Sequence, residues 1–425
     1  MTGDIFIQMA AYRDPQLGPT LRDAVAQASD PTRLHFCVAW QHGDDERRED
    51  VFGGLPSGPK LTILDIPHRE SRGACWARHQ IQQHYQGEAY TLQLDSHHRF
   101  VPGWDDVCIG MLEELRAAGV EKPLLTAYLP SFDPDDDPQA RVQEPWFLTF
   151  DRFIPEGAVF FRPATMPGWE ARSTPMRSRF YSAHFAFTLG AFSREVQHNP
   201  EYYFHGEEIS IAARAYTHGY DLFHPHRLVA WHEYTRKGRA KHWDDHDNWG
   251  HVNASSHGLN RLLFGMDEFA SEPERVAEEQ CGPYGFGTAR TLEQYERYAG
   301  MSFRRRAATQ ALLDNQEPHP DDNSDLPYDA FVAGCRPRFK HCIDVGFDRV
   351  PLDDYDYWCV VFKDAEGNDL FRKDADPDEI AQMKQDPDGY CKVWREFDTD
   401  VLPRTWIVWP HSRAQGWCPP VVGTL

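Results

Sequence analysis

The chain has no CxxC pair, and its nine cysteines (Cys37, Cys75, Cys108, Cys281, Cys335, Cys342, Cys359, Cys391 and Cys418) are an odd number scattered over its length. That pattern argues against a disulfide framework and a zinc ribbon, and leaves most of the thiols as reduced core residues. Positive charge is also scarce: 44 Lys plus Arg stand against 66 Asp plus Glu, a net charge of −22. A general nucleic-acid or anionic-membrane binder is excluded on electrostatic grounds, so an anionic substrate must be met by a local cationic site or a metal. No apolar run approaches the roughly 20 residues that span a bilayer. The opening MTGDIFIQMAAYRDP lacks the basic-then-apolar design of a signal peptide, which predicts a cytoplasmic protein. No internal repeat is present. What the chain does have is length for two or three domains at 425 residues. It also has 13 Trp, 17 Tyr and 21 His, a stock that suits sugar stacking, metal ligation or plain packing alike.

The first third alternates strand-like apolar runs with helical patterns, the signature of βαβ units on a mostly parallel sheet. Strands are predicted over 4–11, 33–40, 61–66 and 89–94, and helices over 21–28, 71–85 and 104–118. Further strands follow at 124–129, 158–161, 183–189 and 221–231, with a helix over 207–218 stopped by Gly219. The His- and Trp-rich stretch 237–257 has weak periodicity and reads as a long loop. Its His242, His246 and His251 fit no standard metal spacing. The organisation expected is a large domain over 1–312, with a helical extension after about 265. An acidic, proline-bearing linker over 313–327 and a small β-rich domain over 328–425 complete it.

Chemistry gathers where buried strands end, which in open α/β sheets is where ligands collect. Asp95 and His97 follow the strand 89–94, and in extended chain residues i and i+2 share a face. A carboxylate oxygen and an imidazole nitrogen make a partial shell for Mn²⁺ or a similar divalent ion bridging a diphosphate. The plain alternative is a turn carboxylate beside a surface histidine. His232 follows another strand and offers a third ligand. Glu207 and Glu208 open a helix, a position the helix dipole favours for acids whatever their function. Arg72 has an equally plain reading as half of a surface ion pair.

Three ordered blocks carry a resemblance. The stretch from Arg69 to Asp105, with Arg72, Arg78, TLQLDSHHRF and Gly103-Trp104-Asp105, resembles the cytoplasmic polypeptide GlcNAc-transferases that modify hydroxyproline, and their bacterial relatives. More distantly it is similar to the polypeptide N-acetylgalactosaminyltransferases. FHGEEISIAARAYTHGYDLFHPHRLVAWHEYTR and the opening IFIQMAAYRDP match the same pattern, and together the blocks cover about residues 4–265. The resemblance implies an α/β GT-A glycosyltransferase fold, a Rossmann-like mixed sheet flanked by helices, using a UDP-sugar and Mn²⁺ with retention at the anomeric carbon. It assigns Asp95, His97 and His232 to the metal and Glu207 to the donor sugar. Tyr12, Arg13, Arg72, Arg78 and Asp95 fall to the nucleotide and diphosphate. Glu208 stands where the galactosaminyl families have Asn.

Arg236, just after His232, is a further candidate, a cation for the leaving diphosphate on a possible lid. UDP-GlcNAc is the donor implied, and a hydroxyl of Ser, Thr or hydroxyproline in a protein or peptide is the acceptor implied. A glycan or small-molecule acceptor remains an alternative. So does a non-catalytic sugar- or nucleotide-binding protein on the same fold. A nucleotidyltransferase would want a glycine-rich basic phosphate loop, of which AAYRDPQLGPT is a poor version.

Overall fold

The computed structural model describes residues 3–235, 238–269, 271, 275–276, 279, 281–386 and 389–425. Four strands, β1 (Ile5–Tyr12), β2 (Leu34–His42), β3 (Lys60–Pro67) and β4 (Tyr90–Leu94), lie parallel in the order β3-β2-β1-β4. After the short β5 (His98–Phe100) come β6 (Lys122–Thr126), β7 (Trp146–Phe153), β8 (Val159–Thr165), β9 (Met176–Arg177), β10 (Phe185–Leu189), β11 (Tyr220–His224) and β12 (Ala230–His232). The main sheet continues past β4 as β10-β6-β11-β9, with β10 antiparallel to both neighbours. β1 and β2 are buried almost throughout because helices cover both faces.

Helix Ala74–Gln82 buries Ala77 and Ile81 against Phe6 and Cys37 on one face. Helices Leu17–Gln27 and Trp104–Ala117 pack on a second core with Ile7, Phe36 and Leu92. Trp104 is part of that core, 1 % exposed with its indole N–H donated to Ala24 O, so it is packing rather than a stacking platform.

Two sequence readings change. The predicted strand 221–231 is two strands, because Pro225 has no N–H to give a ladder and the chain leaves the main sheet there. β12 then pairs antiparallel with β5, His232 opposite His98. The stretch read as a loop over 237–257 instead holds a short helix, His242–Asp245, and most of a long one, Trp249–Leu263. The long helix carries little sequence signal because its buried face is largely polar. Ser256 accepts the Tyr203 N–H at 2.6 Å, and Asn260 accepts the Tyr202 hydroxyl at 2.7 Å, so the usual apolar stripe is missing.

Beyond the short β13 (Met301–Ser302) and β14 (Ala307–Ala308), the C-terminal region is β-rich as expected. β15 (Arg336–Gly346) pairs antiparallel with β18 (Tyr390–Asp398). β16 (Tyr355–Lys363) and β19 (Thr405–Ser412) form a second sheet with β17 (Asp369–Arg372), β20 (Gly416–Trp417) and β21 (Val421–Thr424). Trp358, Val360, Phe362, Ile343, Val393 and Val408 fill the space between the two sheets. β15 also runs parallel beside β7, with Phe339 opposite Phe153, so this region continues the β7–β8 sheet.

Candidate functional site

Asp95 sits just past the C-terminal end of β4 and His97 two residues on, while the β5–β12 ribbon brings His232 to them. His232 Nε2 lies 3.5 Å, and His97 Nε2 3.8 Å, from the Asp95 Oδ2. The ligand-type atoms of the three residues all fall within 4.8 Å of one another. His97 Nδ1 meets the Asp14 carboxylate at 2.7 Å and the Arg239 guanidinium, while its Nε2 faces Asp95. His232 is 6 % exposed and neither ring nitrogen makes a hydrogen bond. Burial, against a smaller pull from the Asp95 carboxylate, pushes its pKa well below the usual range and keeps the imidazole neutral. One carboxylate and two imidazoles, that of His232 neutral and with no hydrogen bond to its ring nitrogens, fit a Mn²⁺-type ion.

Arg78 connects this group to the next. Its guanidinium is buried and bridges Asp95 at 2.8 Å and Glu207 at 2.5 Å. Burial alone would raise the Glu207 pKa, but Arg78, then His198 and the Cys75 thiol, outweigh it and hold the carboxyl at about 2. Cys75, Glu207 and His198 also lie within 4.8 Å of one another. With Arg78 already on Glu207 and the Cys75 S–H donated to the same carboxylate at 2.5 Å, that group is a hydrogen-bonded anion rather than a cation site.

Glu207 is aimed by Gly206, whose φ of 93° suits glycine and where a Cβ would come within 2.1 Å of the Asn260 amide. Glu208, the next residue, differs. Burial, with a further push from Glu207, raises its pKa to about 7, even though it accepts the Ala183 N–H and the Tyr128 hydroxyl, each at 2.8 Å.

These residues open on a cavity of about 840 Å³. Its lining includes Tyr12, Asp14, Arg78, Asp95, His97, Glu207, Glu208 and His232, together with Arg239 from the loop after β12 and Trp243 from the short helix His242–Asp245. Tyr12 and Arg13 are both bound to Asp245, at 2.7 and 2.8 Å, but only Tyr12 lines the cavity. Arg72 does not line it. Arg72 is exposed and lies over the Trp76 ring at 5.9 Å. Arg236 lies outside the described residues. His242 is bonded to the Tyr203 hydroxyl at 2.8 Å and stacked on His246 at 4.0 Å.

Sequence reasoning missed three residues. Asp14 orients His97. Arg239 bonds Asp14 at 3.3 Å and Glu233 at 2.8 Å. His184, its ring stacked on His232 at 4.2 Å, takes the Leu129 N–H on Nε2 at 3.0 Å. Asp14 was findable, because β1 and β4 are parallel neighbours with Met9 opposite Leu94, so the strand-end rule that selects Asp95 applies to Asp14 as well. His184 precedes β10 and carried no signal, because the neighbour it serves is far along the chain.

Metal-type donors and a cavity thus meet at the strand ends of a mixed sheet. The chain belongs to the GlcNAc glycosyltransferase family, whose model matches residues 4–53 and 55–305. No curated protein matches the chain. Among solved structures it is similar to GalNAc-T7 with UDP, GalNAc and Mn²⁺, at 11 % identity and a TM-score of 0.45 over 98 % of this chain and 68 % of that one. It is also similar to residues 1–349 of S. aureus TarS, at 10 % identity and a TM-score of 0.36 over 66 % and 80 % of the two chains. A third likeness is to the mannosyltransferase PcManGT from Pyrobaculum calidifontis with GDP-Man and Mn²⁺, at 11 % identity and a TM-score of 0.37 over 61 % and 70 %. At such scores these likenesses add nothing to the family match. Among the described residues no helix is long and apolar enough to cross a membrane.

Proposed function

We propose that the protein transfers GlcNAc from UDP-GlcNAc to a hydroxyl of Ser, Thr or hydroxyproline in a cytoplasmic protein, with a divalent ion such as Mn²⁺ and retention at the anomeric carbon. The observation that carries this reading is the meeting of Asp95, His97 and the unpartnered, neutral His232 beside the Arg78–Glu207 pair in one cavity. Asp95, His97 and His232 would hold the ion, whose charge offsets that building on the departing diphosphate. Asp14 and Arg239, both on His97 Nδ1, hold the ring in orientation.

Glu207, ionised and fixed by Arg78, accepts hydrogen bonds from donor-sugar hydroxyls and sets the anomeric carbon in place for the incoming hydroxyl. A carboxylate held at about 2 by a buried guanidinium is a weak base and a weak nucleophile. That favours front-face attack, with the departing β-phosphate oxygen taking the acceptor proton, over a covalent glycosyl-enzyme. Family membership and the complete donor set speak against a non-catalytic binding protein.

The test is slow hydrolysis of UDP-GlcNAc, UDP-GalNAc and UDP-glucose, with and without Mn²⁺, alongside calorimetry with UDP. Fastest loss of UDP-GlcNAc, strict metal dependence and collapse of metal-dependent UDP affinity in His232→Ala are expected. Metal-dependent binding that survives in His232→Ala removes that residue from the site. Glu207→Gln should lower turnover far more than UDP affinity, since UDP has no sugar for it to hold. A β-linked product by NMR overturns retention, while an α-linkage to a glycan or small alcohol keeps it and discards only the protein acceptor.

A further inference from the structure

The floor of the cavity is lined by carboxylates, whereas on one wall cations outnumber them. The β7–β8 hairpin contributes Asp151, Arg152, Phe160 and Arg162 to that wall. Arg152 is ion-paired to Asp151, Arg162 lies 2.9 Å from it, and Lys340, reaching over from β15, lies 2.8 Å from it. The Asp151 side chain is 5 % exposed, and among the described residues it is the one carboxylate these three cations pair with. Three positive charges around one negative leave a local excess in a chain whose net charge is −22.

The excess is held where a ligand can reach it. The Arg162 side chain is 56 % exposed. The Arg152 guanidinium lies over the Phe160 ring at 4.8 Å and over the Trp394 ring of β18 at 5.3 Å, an arrangement that occupies its faces and leaves N–H edges for an anion. Trp394 is itself 44 % exposed. A buried ion pair needs one cation for one anion. Two surplus cations packed side by side repel one another, and an incoming carboxylate relieves that repulsion.

We propose that Arg152 and Arg162 on this wall of the cavity, with Lys340 behind them on Asp151, form a carboxylate-binding subsite, and that it selects peptide acceptors with Asp or Glu flanking the receiving hydroxyl. Lys340 and Trp394 are the C-terminal region's contribution, so that region takes part in acceptor choice through the sheet it shares with β7 and β8. The proposal rests on the transferase reading above and names its acceptor class more closely.

The test uses the full chain with UDP and Mn²⁺ and two short peptides, each with a single Thr, one flanked by Glu and the other by Lys. By calorimetry the Glu peptide should bind about tenfold more tightly at low salt, a preference that shrinks as salt screens it. Arg162→Glu, a change at an exposed position, should invert the preference, and Lys340→Ala should reduce it. Equal affinity for the two peptides, or tighter binding of the Lys peptide to the unaltered protein, overturns the subsite. The transfer reading is scored separately with UDP-GlcNAc. Selective binding of the Glu peptide without transfer, while the donor is still hydrolysed, keeps the subsite and discards the Thr hydroxyl as acceptor. Absence of both UDP binding and donor turnover sinks the transferase reading, with the binding preference still deciding the subsite.

Discussion

Arg78 beside the cavity and Arg395 in the C-terminal region are both buried and both bonded to a carboxylate, yet their surroundings are opposite in kind. Arg395 gives its N–H groups to Glu379 at 2.6 Å and to the Lys373 and Trp394 carbonyls at 3.0 and 2.7 Å, tying β18 to its neighbours. Arg78 is wedged between two carboxylates that face a cavity, and its buried Nε has no partner. The contrast extends beyond these two residues. Buried polar atoms without a hydrogen bond occur on Arg78, His98, Tyr181, His198, His232, Arg239 and His242 around the site, and on Arg177, Arg179, Arg214, His226 and others elsewhere in the first 306 residues. Past residue 306, among the described residues, only the Trp358 indole shares that condition. Around the cavity such groups stand where a ligand can complete them, whereas Arg177, Arg214 and His226 show that the condition alone does not mark a site.

Replacing each arginine breaks or sharpens that contrast most strongly. Arg78→Ala strands two carboxylates and should cost about 3–5 kcal/mol in urea unfolding, together with loss of donor hydrolysis. Arg395→Ala leaves two carbonyls short, but its Glu379 partner is 33 % exposed and can turn to water. A smaller cost of about 1–3 kcal/mol is expected, with donor hydrolysis retained. Equal costs, or hydrolysis surviving in Arg78→Ala, would sink the distinction.

The same difference decided what could be read from the sequence. β1, β2 and β4 were legible because parallel strands buried on both faces leave continuous apolar runs. Asp95, His97, His232 and Glu207 were legible because a strand end or helix start marks each one locally. In the C-terminal region, the apolar runs 357–363 and 405–409 are legible as strands and fall in β16 and β19. β15 and β18 went unread, because polar residues such as Lys340, His341, Asp344, Lys392 and Arg395 interrupt them. The helix Trp249–Leu263 was hidden by Ser256 and Asn260, whose partners are set by tertiary contact. His184 shows the limit most plainly. Its significance is the ring of His232 against it, and no local pattern encodes that.

A subtler version of the contrast lies within the site, between consecutive carboxyls. Glu207 is held at about 2 and Glu208 is raised to about 7, against an ordinary 4.5 for each. Their contributions to stability therefore run in opposite directions with pH. Glu207 stabilises above about 4.5, and that contribution is lost as pH falls toward 2. For Glu208 the unfolded chain ionises first, so the folded state holds the extra proton between about 4.5 and 7, and stability falls as pH rises through that window. The fall should amount to about 1–3 kcal/mol. Glu208→Gln keeps an oxygen for the Ala183 N–H and offers its amide to the Tyr128 hydroxyl, so it should fold and lose this slope. Glu296, also raised to about 7 by burial, adds a slope of the same sign and survives in that variant as an internal control. Because Glu207 is one of the charges that raise Glu208, Glu207→Gln should draw the Glu208 window toward lower pH rather than abolish it. Urea unfolding at intervals from pH 4.5 to 8 reads all three. A slope in Glu208→Gln as steep as that of the unaltered protein would show that the carboxyl is already ionised in the fold, and that its contacts with Tyr128 and Ala183 stabilise the anion as Arg78 does for Glu207.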